Sequence, residues 1–491
     1  MGSPFVGAIH ESPAFSGLMM VMNDTGLAYY CMESRLPLPL TISNFHFSFL
    51  IFPPPLAIFS SLCYNTTNNF MHERNTIMGK IKIGVFGAGR GKTMIREMLN
   101  NPEAEVVAIC DKYLPLLDEC QKMADDYGVK IALYPNFEDF FQHDMDAVVM
   151  ANYAHEHAKF GIRLLKSGRH IMSEVLTCAT LAEACELIET VEQTGKLYSY
   201  AENYCYFNTT YEMRRRYRAG DIGELMQAEG EYIHDCSSIW PQITYGERDH
   251  WRNRMSSVFY CTHSLGPILH ATGLRPVAVN GFETRNMPFM RKLGDTAGSA
   301  GTLMVTLENG AIVKSIDMCL KGHSVNYRMF GDTGMMETDF HDGGYMHLYR
   351  EFGKNCAGTW EKYKPEFVLP GADASGHGGS DYFTSYYFVR ALQGDTDALD
   401  NIVDVYEAVD MCLPGILGFQ SILNNNCKID VPNLRLPSER DKWRHDTFCT
   451  FEEAAGDMFV PCNAMQANRD EIIPDSVYDE VRRKWENGEP G

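Results

Sequence analysis

The chain has 491 residues, of which 45% are hydrophobic and 22% charged, and it carries a formal net charge of −21. Such a length exceeds one ordinary core, so two domains are expected, and the composition is that of a folded globular protein. An acidic surplus of this size repels phosphate backbones and argues against nucleic acid as a partner.

Residues 1–77 read as irregular text: Pro37, Pro39 and the run Pro53-Pro54-Pro55 precede a polar stretch from Asn65 to Asn69. The expectation is a disordered or spurious extension, with the working chain beginning near Met78. The apolar run from Phe47 to Phe59 falls short of the roughly 20 residues of a membrane span and is broken by prolines. It also lies too far in for a secretory leader, and the N-terminus lacks a basic segment. The 15 cysteines form no Cys-x-x-Cys pair, so reduced thiols in a cytoplasmic protein are expected.

From Lys80 a regular alternation begins. Strands are expected over 81–86, 105–110, 130–134, 147–150, 170–172 and 197–201, and helices over 92–100, 114–127, 156–167 and 181–194. Strands alternating with helices make parallel βαβ units and a doubly wound sheet. The texture changes after Asn203. A helix over 210–219 leads to a turn at Gly223, and strand-like stretches follow over 226–234, 277–282, 302–307 and 312–319. The last two flank Glu308-Asn309-Gly310, where Asn-Gly is a hairpin signal. Helices are expected over 381–392 and 401–424, and the final sixty or so residues are polar and rich in loops. The expected fold class is α/β: a Rossmann-type parallel sheet over 78–203, then an α+β domain with a large, mostly antiparallel open sheet over 204–432, then a polar extension over 433–491.

The segment Gly87-Ala88-Gly89-Arg90-Gly91 follows the first strand and opens the first helix. Glycines there permit a tight turn and let backbone amides approach a pyrophosphate at a helix N-terminus. Gly91 stands one place earlier than the third glycine of the usual G-x-G-x-x-G, and the strand–turn–helix context makes up for the departure. Gly91-Lys92-Thr93 mimics the end of a P-loop, but that motif needs glycine where Phe86 stands. Asp111 ends the second strand, 24 residues beyond Gly87. A carboxylate there binds ribose hydroxyls and repels a 2′-phosphate, which favours NAD over NADP.

These features resemble the glucose–fructose oxidoreductase and inositol dehydrogenase (Gfo/Idh/MocA) superfamily over about residues 78–432. Asn152-Tyr153-Ala154 replaces the family's threonine-proline-asparagine turn, and His157 stands at the matching spacing. Gly168-Arg169-His170 matches its glycine-lysine-histidine. The resemblance implies cofactor contacts from Asn152, His157, Glu174 and Asn203. Family dehydrogenases follow the fifth strand with Glu-Lys-Pro, whose lysine assists proton removal. This chain has Glu174-Val175-Leu176, so the usual base is absent.

A narrower resemblance accounts for that loss. The NAD-dependent α-N-acetylgalactosaminidases of the superfamily also replace the lysine with an apolar residue. They share segments corresponding here to Glu202-Asn203-Tyr204-Cys205-Tyr206, Gly223-Glu224-Leu225, Tyr232-Ile233-His234-Asp235, Trp251-Arg252 and Tyr260-Cys261-Thr262-His263. Gly376-His377-Gly378-Gly379-Ser380-Asp381-Tyr382 and Asp404-Val405-Tyr406 complete the series. Ser380 stands where those enzymes tend to have methionine, and the loop after Arg252 is shorter. The resemblance implies glycoside hydrolysis through transient oxidation at sugar carbon 3, elimination from carbons 2 and 1, water addition and re-reduction, with NAD retained. That route needs no pair of carboxylates flanking the glycosidic bond.

His263 is the expected base at carbon 3, with Tyr260 sharing the work. Tyr206 is the candidate for proton transfer at carbon 2. Arg252 would orient sugar hydroxyls and polarise the developing enolate. Glu174 would bind sugar or nicotinamide-ribose hydroxyls, and His377 would reach the pocket from its glycine-rich loop. Simpler roles remain open: tyrosine packing, an Arg252–Asp249 pair, a structural His234-Asp235 pair, and helix core for Tyr386-Tyr387-Phe388. His234, His263 and a carboxylate form a possible divalent-metal set, but their spacing is not diagnostic and it is not favoured. The expected partner is a small sugar or glycoside, without membrane attachment, and the second-domain sheet is the expected surface for a homo-oligomer. A plain sugar or cyclitol dehydrogenase and a non-catalytic sugar sensor are the alternatives.

Overall fold

The computed structural model describes residues 18–22, 28–32, 77, 79–351, 358–366, 372 and 375–491. The remainder of residues 1–77, with the 47–59 run, lies outside them. Within that span β1 (Leu18–Met22) and β2 (Ala28–Met32) pair as an antiparallel hairpin. Regular structure was not expected there, although the intervening sequence Asn23-Asp24-Thr25-Gly26 is turn-prone. No helix among the described residues is long and apolar enough to cross a membrane.

The first sheet contains β3 (Ile81–Phe86), β4 (Ala104–Cys110), β5 (Ala132–Tyr134), β6 (Ala147–Met150), β7 (His170–Ser173) and β8 (Tyr198–Tyr200) in the order β5-β4-β3-β6-β7-β8. Every pairing is parallel, as the βαβ alternation predicts. Helices α1 (Ala88–Asn100), α2 (Leu114–Asp126), α3 (Phe137–Phe141), α4 (His157–Lys166) and α5 (Leu181–Thr194) make the crossovers. β6 and β7 are buried at every position, the signature of strands covered on both faces. α1 begins at Ala88, four residues before its expected start, because the glycine turn is itself the first turn of the helix.

After α6 (Asn208–Arg218) comes the second sheet, in the order β16-β15-β14-β13-β9-β12-β11-β10-β17. Its strands are β9 (Leu225–His234), β10 (Pro276–Glu283), β11 (Ala300–Leu307), β12 (Ile312–Met318), β13 (His323–Gly331), β14 (Gly334–Thr338), β15 (Met346–Arg350), β16 (Thr359–Tyr363) and β17 (Ile429–Asp430). Only β9 and β12 pair in parallel. The predicted Asn309-Gly310 hairpin joins β11 to β12, with Gly310 at φ 89°. The short helices α7 (Trp240–Thr244) and α9 (Pro288–Arg291) bracket α8 (Thr262–Thr272) in the chain.

α8 packs on β9 so closely that a Cβ at Gly230 would collide with the Ser264 carbonyl. This contact sets the height of His263 above the sheet. Then follow α10 (Ser380–Leu392), α11 (Thr396–Asn401) and α12 (Val405–Leu423). The helix expected over 401–424 is α12, and the short α11 before it was not expected. Asp404 starts α12 by accepting the amides of Tyr406 and Glu407. The C-terminal extension is more ordered than its polar sequence suggests. It holds α13 (Pro437–Trp443), α14 (Glu452–Ala455) and α15 (Asp475–Glu486), and buries Cys449, Phe451 and Val481.

Candidate active site

The glycine turn sits at the C-terminal edge of the parallel sheet. Gly87 has φ 97°, and a Cβ there would collide with the Ala151 carbonyl at the end of β6. At Gly91 an added Cβ would stand 3.0 Å from Val85, so α1 packs tightly on β3. Close helix–strand packing is what the third motif glycine provides, and it is achieved here one position early. The Ala88 amide donates to Asp111 Oδ2 at 2.7 Å and the Tyr113 amide to Oδ1 at 2.8 Å. Asn152 Oδ1 is buried without a hydrogen-bond partner among the described residues. A glycine-rich helix N-terminus, a carboxylate beside it and an orphaned amide oxygen fit a dinucleotide.

His157 does not point at this cradle. Burial lowers its ring to about 4, and its nitrogens meet the carbonyls of Leu176 at 2.8 Å and Asn152 at 3.2 Å. The expected cofactor contact is therefore corrected to a positioning role: His157 braces the loop after β7 against the turn after β6.

Three side chains, those of Arg90, Asn203 and His377, converge on Asp381, which opens α10 and is fully buried. Its Oδ1 accepts from Arg90 Nη2 at 2.7 Å and from Asn203 Nδ2 at 2.9 Å. Its Oδ2 accepts from Arg90 Nη1 at 3.1 Å and pairs with His377 Nδ1 at 2.7 Å. Arg90 Nε in turn lies 2.9 Å from Glu174 Oε1. Burial alone would raise the Asp381 carboxyl, but the bonds from His377 and Arg90 hold it well below its usual range. Burial raises Glu174 despite the Arg90 charge. Arg90, Glu174, Asn203 and His377 were all anticipated. Asp381, which unites them, was not, although it stands four residues after His377.

Beside this cluster stands His263, the second residue of α8. Its Nδ1 lies 2.6 Å from Oε1 of Glu202, whose side chain is wholly buried and also accepts the Tyr204 amide at 3.2 Å. A buried carboxylate on Nδ1 fixes the imidazole and leaves Nε2 for other work. Glu202 is the second residue that sequence reasoning missed, and its place next to Asn203 was the available signal. The rings of Tyr204, Tyr232 and Tyr260 surround His263 at centroid distances of 4.3, 4.8 and 4.8 Å. The Arg252 guanidinium lies over Trp251 at 4.2 Å and Tyr260 at 5.5 Å. Burial raises the Tyr260 hydroxyl, and Arg252 only partly opposes this. Tyr260 thus presents a protonated hydroxyl beside His263. The two clusters lie within electrostatic reach of each other, His263 of Glu174 and Tyr260 of Arg90.

Tyr206 is not brought to this site. Its hydroxyl donates to the Asn401 carbonyl at 2.6 Å, and its ring packs against His270 and Tyr387. The expected proton transfer at carbon 2 is withdrawn from it, because a fully buried, committed hydroxyl facing helix core has no access to a sugar. Among the described residues no three metal-ligating side chains converge. His234 bonds Cys236 Sγ at 3.0 Å.

Comparisons with known proteins agree with this architecture. Residues 81–202 match the oxidoreductase family with an NAD-binding Rossmann fold, GFO_IDH_MocA, and residues 301–444 match the C-terminal domain of glycosyl hydrolase 109. Glycosyl hydrolase family 109 protein 1 of Bacteroides thetaiotaomicron is 25% identical over 396 residues, covering 72% of this chain and 84% of that protein. The family 109 protein of Porphyromonas gingivalis is 26% identical over 402 residues, with coverage of 72% and 84%. The fold is shared with levoglucosan dehydrogenase, solved with NADH and L-sorbose, at a TM-score of 0.59 and 15% identity over 72% of this chain and all of that one. The chain is an NAD-dependent enzyme that joins the Rossmann domain of the Gfo/Idh/MocA oxidoreductases to the C-terminal domain of glycosyl hydrolase family 109.

Proposed function

We propose that the protein hydrolyses glycosides by transient oxidation at sugar carbon 3, with NAD retained between turnovers. The observation that carries this reading is the Glu202–His263 pair beside the Arg90–Glu174 side of the glycine turn. It supplies a proton acceptor where Val175, a buried apolar residue, replaces the family lysine.

Bound NAD supplies a two-electron acceptor and donor at carbon 3. His263 Nε2 takes the carbon-3 hydroxyl proton, and Glu202 balances the imidazolium charge. The resulting ketone acidifies the carbon-2 proton, and Arg252 with the Tyr260 hydroxyl stabilises the enolate oxygen. The aglycone leaves carbon 1, water adds to the unsaturated ketone there, and His263 returns its proton when the ketone is reduced. The sum is hydrolysis without net oxidation. With Tyr206 remote, the carbon-2 proton passes to solvent water, the departing aglycone oxygen takes a proton from water, and water addition returns a solvent proton to carbon 2.

The test is incubation with aryl α- and β-glycosides in deuterated water without added cofactor. Released phenol with deuterium at carbon 2 supports the reading. A steady rise of NADH from free sugars plus added NAD, without phenol, replaces it with a dehydrogenase.

A further inference from the structure

Residues 445–491 lie beyond both matched segments, yet they are built into the cofactor side of the molecule. α15 is fastened to the segments around α7 and α9. Asp475 pairs with Arg248, the Tyr478 hydroxyl donates to the Gly294 carbonyl at 3.3 Å, and Gln242 Nε2 donates to the Glu489 carbonyl at 2.9 Å. Val481 is buried with Trp240, Met290 and Leu293 in a small separate core. At the end of the helix the half-buried Trp485 ring stands between two tyrosines, 5.1 Å from Tyr113 and 5.2 Å from Tyr245.

Both partners belong to the dinucleotide cradle. Tyr113 follows Asp111 by two residues, and its amide is held on that carboxylate. Tyr245 faces the glycine turn, since a Cβ at Gly89 would lie 3.0 Å from its hydroxyl. Tyr245 is held at φ 57°, a left-handed conformation rare for a residue with a side chain. Burial raises its hydroxyl, which stays a neutral donor. Next to it Glu247 accepts the Tyr153 hydroxyl at 2.6 Å and Lys112 Nζ at 3.2 Å, and Lys112 lies 4.3 Å over the Tyr153 ring. Aromatic rings and donors from four separate stretches thus rim the space between Asp111 and Gly89.

We propose that Trp485, with Tyr113 and Tyr245, forms a wall of the NAD site on its adenosine side, and that this C-terminal helix slows release of the cofactor. Trp485 and Tyr113 offer flat apolar surface to the adenosine, and the Tyr245 hydroxyl is a donor toward the pyrophosphate over Gly89. The kinetic part rests on the retained-NAD reading above.

The test uses the full-length holoprotein. Trp485→Ala and Trp485→Phe are desalted, and bound NAD is measured by absorbance after denaturation, with its release rate followed into excess scavenger. Trp485→Ala is expected to release NAD about tenfold or more faster, and Trp485→Phe to restore most of the retention. A folded Trp485→Ala protein with the wild-type release rate and NAD Kd overturns the proposal. If Trp485→Ala does not fold, Tyr113→Ala, on a ring 40% exposed, carries the test with the same two outcomes. If the wild type itself loses NAD on desalting, the retained-cofactor reading fails. The wall then still demands a raised Kd in the variant, and an equal Kd overturns it.

Discussion

Asp381→Asn removes one charge and half the acceptor capacity from the side chain that unites the site. The wild-type carboxylate takes two Arg90 donors at 2.7 and 3.1 Å, one from Asn203 at 2.9 Å, and His377 at 2.7 Å. Asn203 can turn its amide and His377 can change tautomer, but a guanidinium has only donors. Whichever way the new amide faces, its NH2 meets one Arg90 N–H. Stripping one member from a buried pair costs about 3–5 kcal/mol. Arg90 keeps Glu174 at 2.9 Å, so we expect about 2–3 kcal/mol here, read as a lowered urea midpoint at pH 7 with saturating NAD. The same variant tests the sign of the pH dependence. The folded Asp381 pKa lies below the unfolded carboxyl value. Its stabilisation is therefore present above that unfolded value, near ~3.9, and is lost as pH falls through the folded one. The gap between wild type and variant should shrink from about pH 5 downward. A difference under about 0.5 kcal/mol at pH 7, or a gap constant down to about pH 2, refutes the reasoning.

Glu202→Gln keeps the shape beside His263 and removes the charge that balances a protonated ring. Turnover of an aryl glycoside should fall by roughly 10²–10⁴-fold while NAD content stays at the wild-type level; unchanged turnover removes the pair from the chemistry. Tyr206→Phe deletes only the bond to the Asn401 carbonyl. It should cost about 1 kcal/mol of stability and leave turnover within about twofold. A hundredfold loss of deuterium exchange at sugar carbon 2 would return Tyr206 to the mechanism.

The parallel sheet was legible because short, largely apolar strands such as β6, Ala147–Met150, alternate with helices across glycine-rich or polar breaks. The β11–β12 hairpin was legible from Asn309-Gly310. Strands β13 to β16 were not. His323–Gly331 alternates incompletely, with Asn326 and Arg328 among its apolar residues, and Thr359–Tyr363 is largely exposed. Such strands are specified by neighbours rather than by their own pattern. Most of the chosen site residues do gather. Glu202 and Asp381 were quoted within motifs but given no task, because a sequence shows adjacency along the chain, and their partners lie 61 and 291 residues away. Tyr206 failed for the opposite reason. Its place in a shared motif implied the pocket, while its side chain leaves the turn toward α10 and α11.

The absent lysine gains a physical meaning from this arrangement. In a lysine-bearing site, cofactor loop and proton acceptor belong to one domain and stay in register through one sheet. Here Val175 is buried at that position, and His263, the acceptor in the proposed mechanism, rises from α8 on the other sheet, held by Glu202 at the junction. In the proposed mechanism oxidation and proton transfer are thus supplied from different sheets, and their relative placement has to be fixed by something that touches both. Asp381 does so: it grips Arg90 of the glycine turn and Asn203 of the junction from the start of α10. Asp381→Asn should then depress turnover more than it weakens NAD binding, since it loosens the alignment of two intact half-sites. Equal losses in both would mean that the cluster only holds the cofactor.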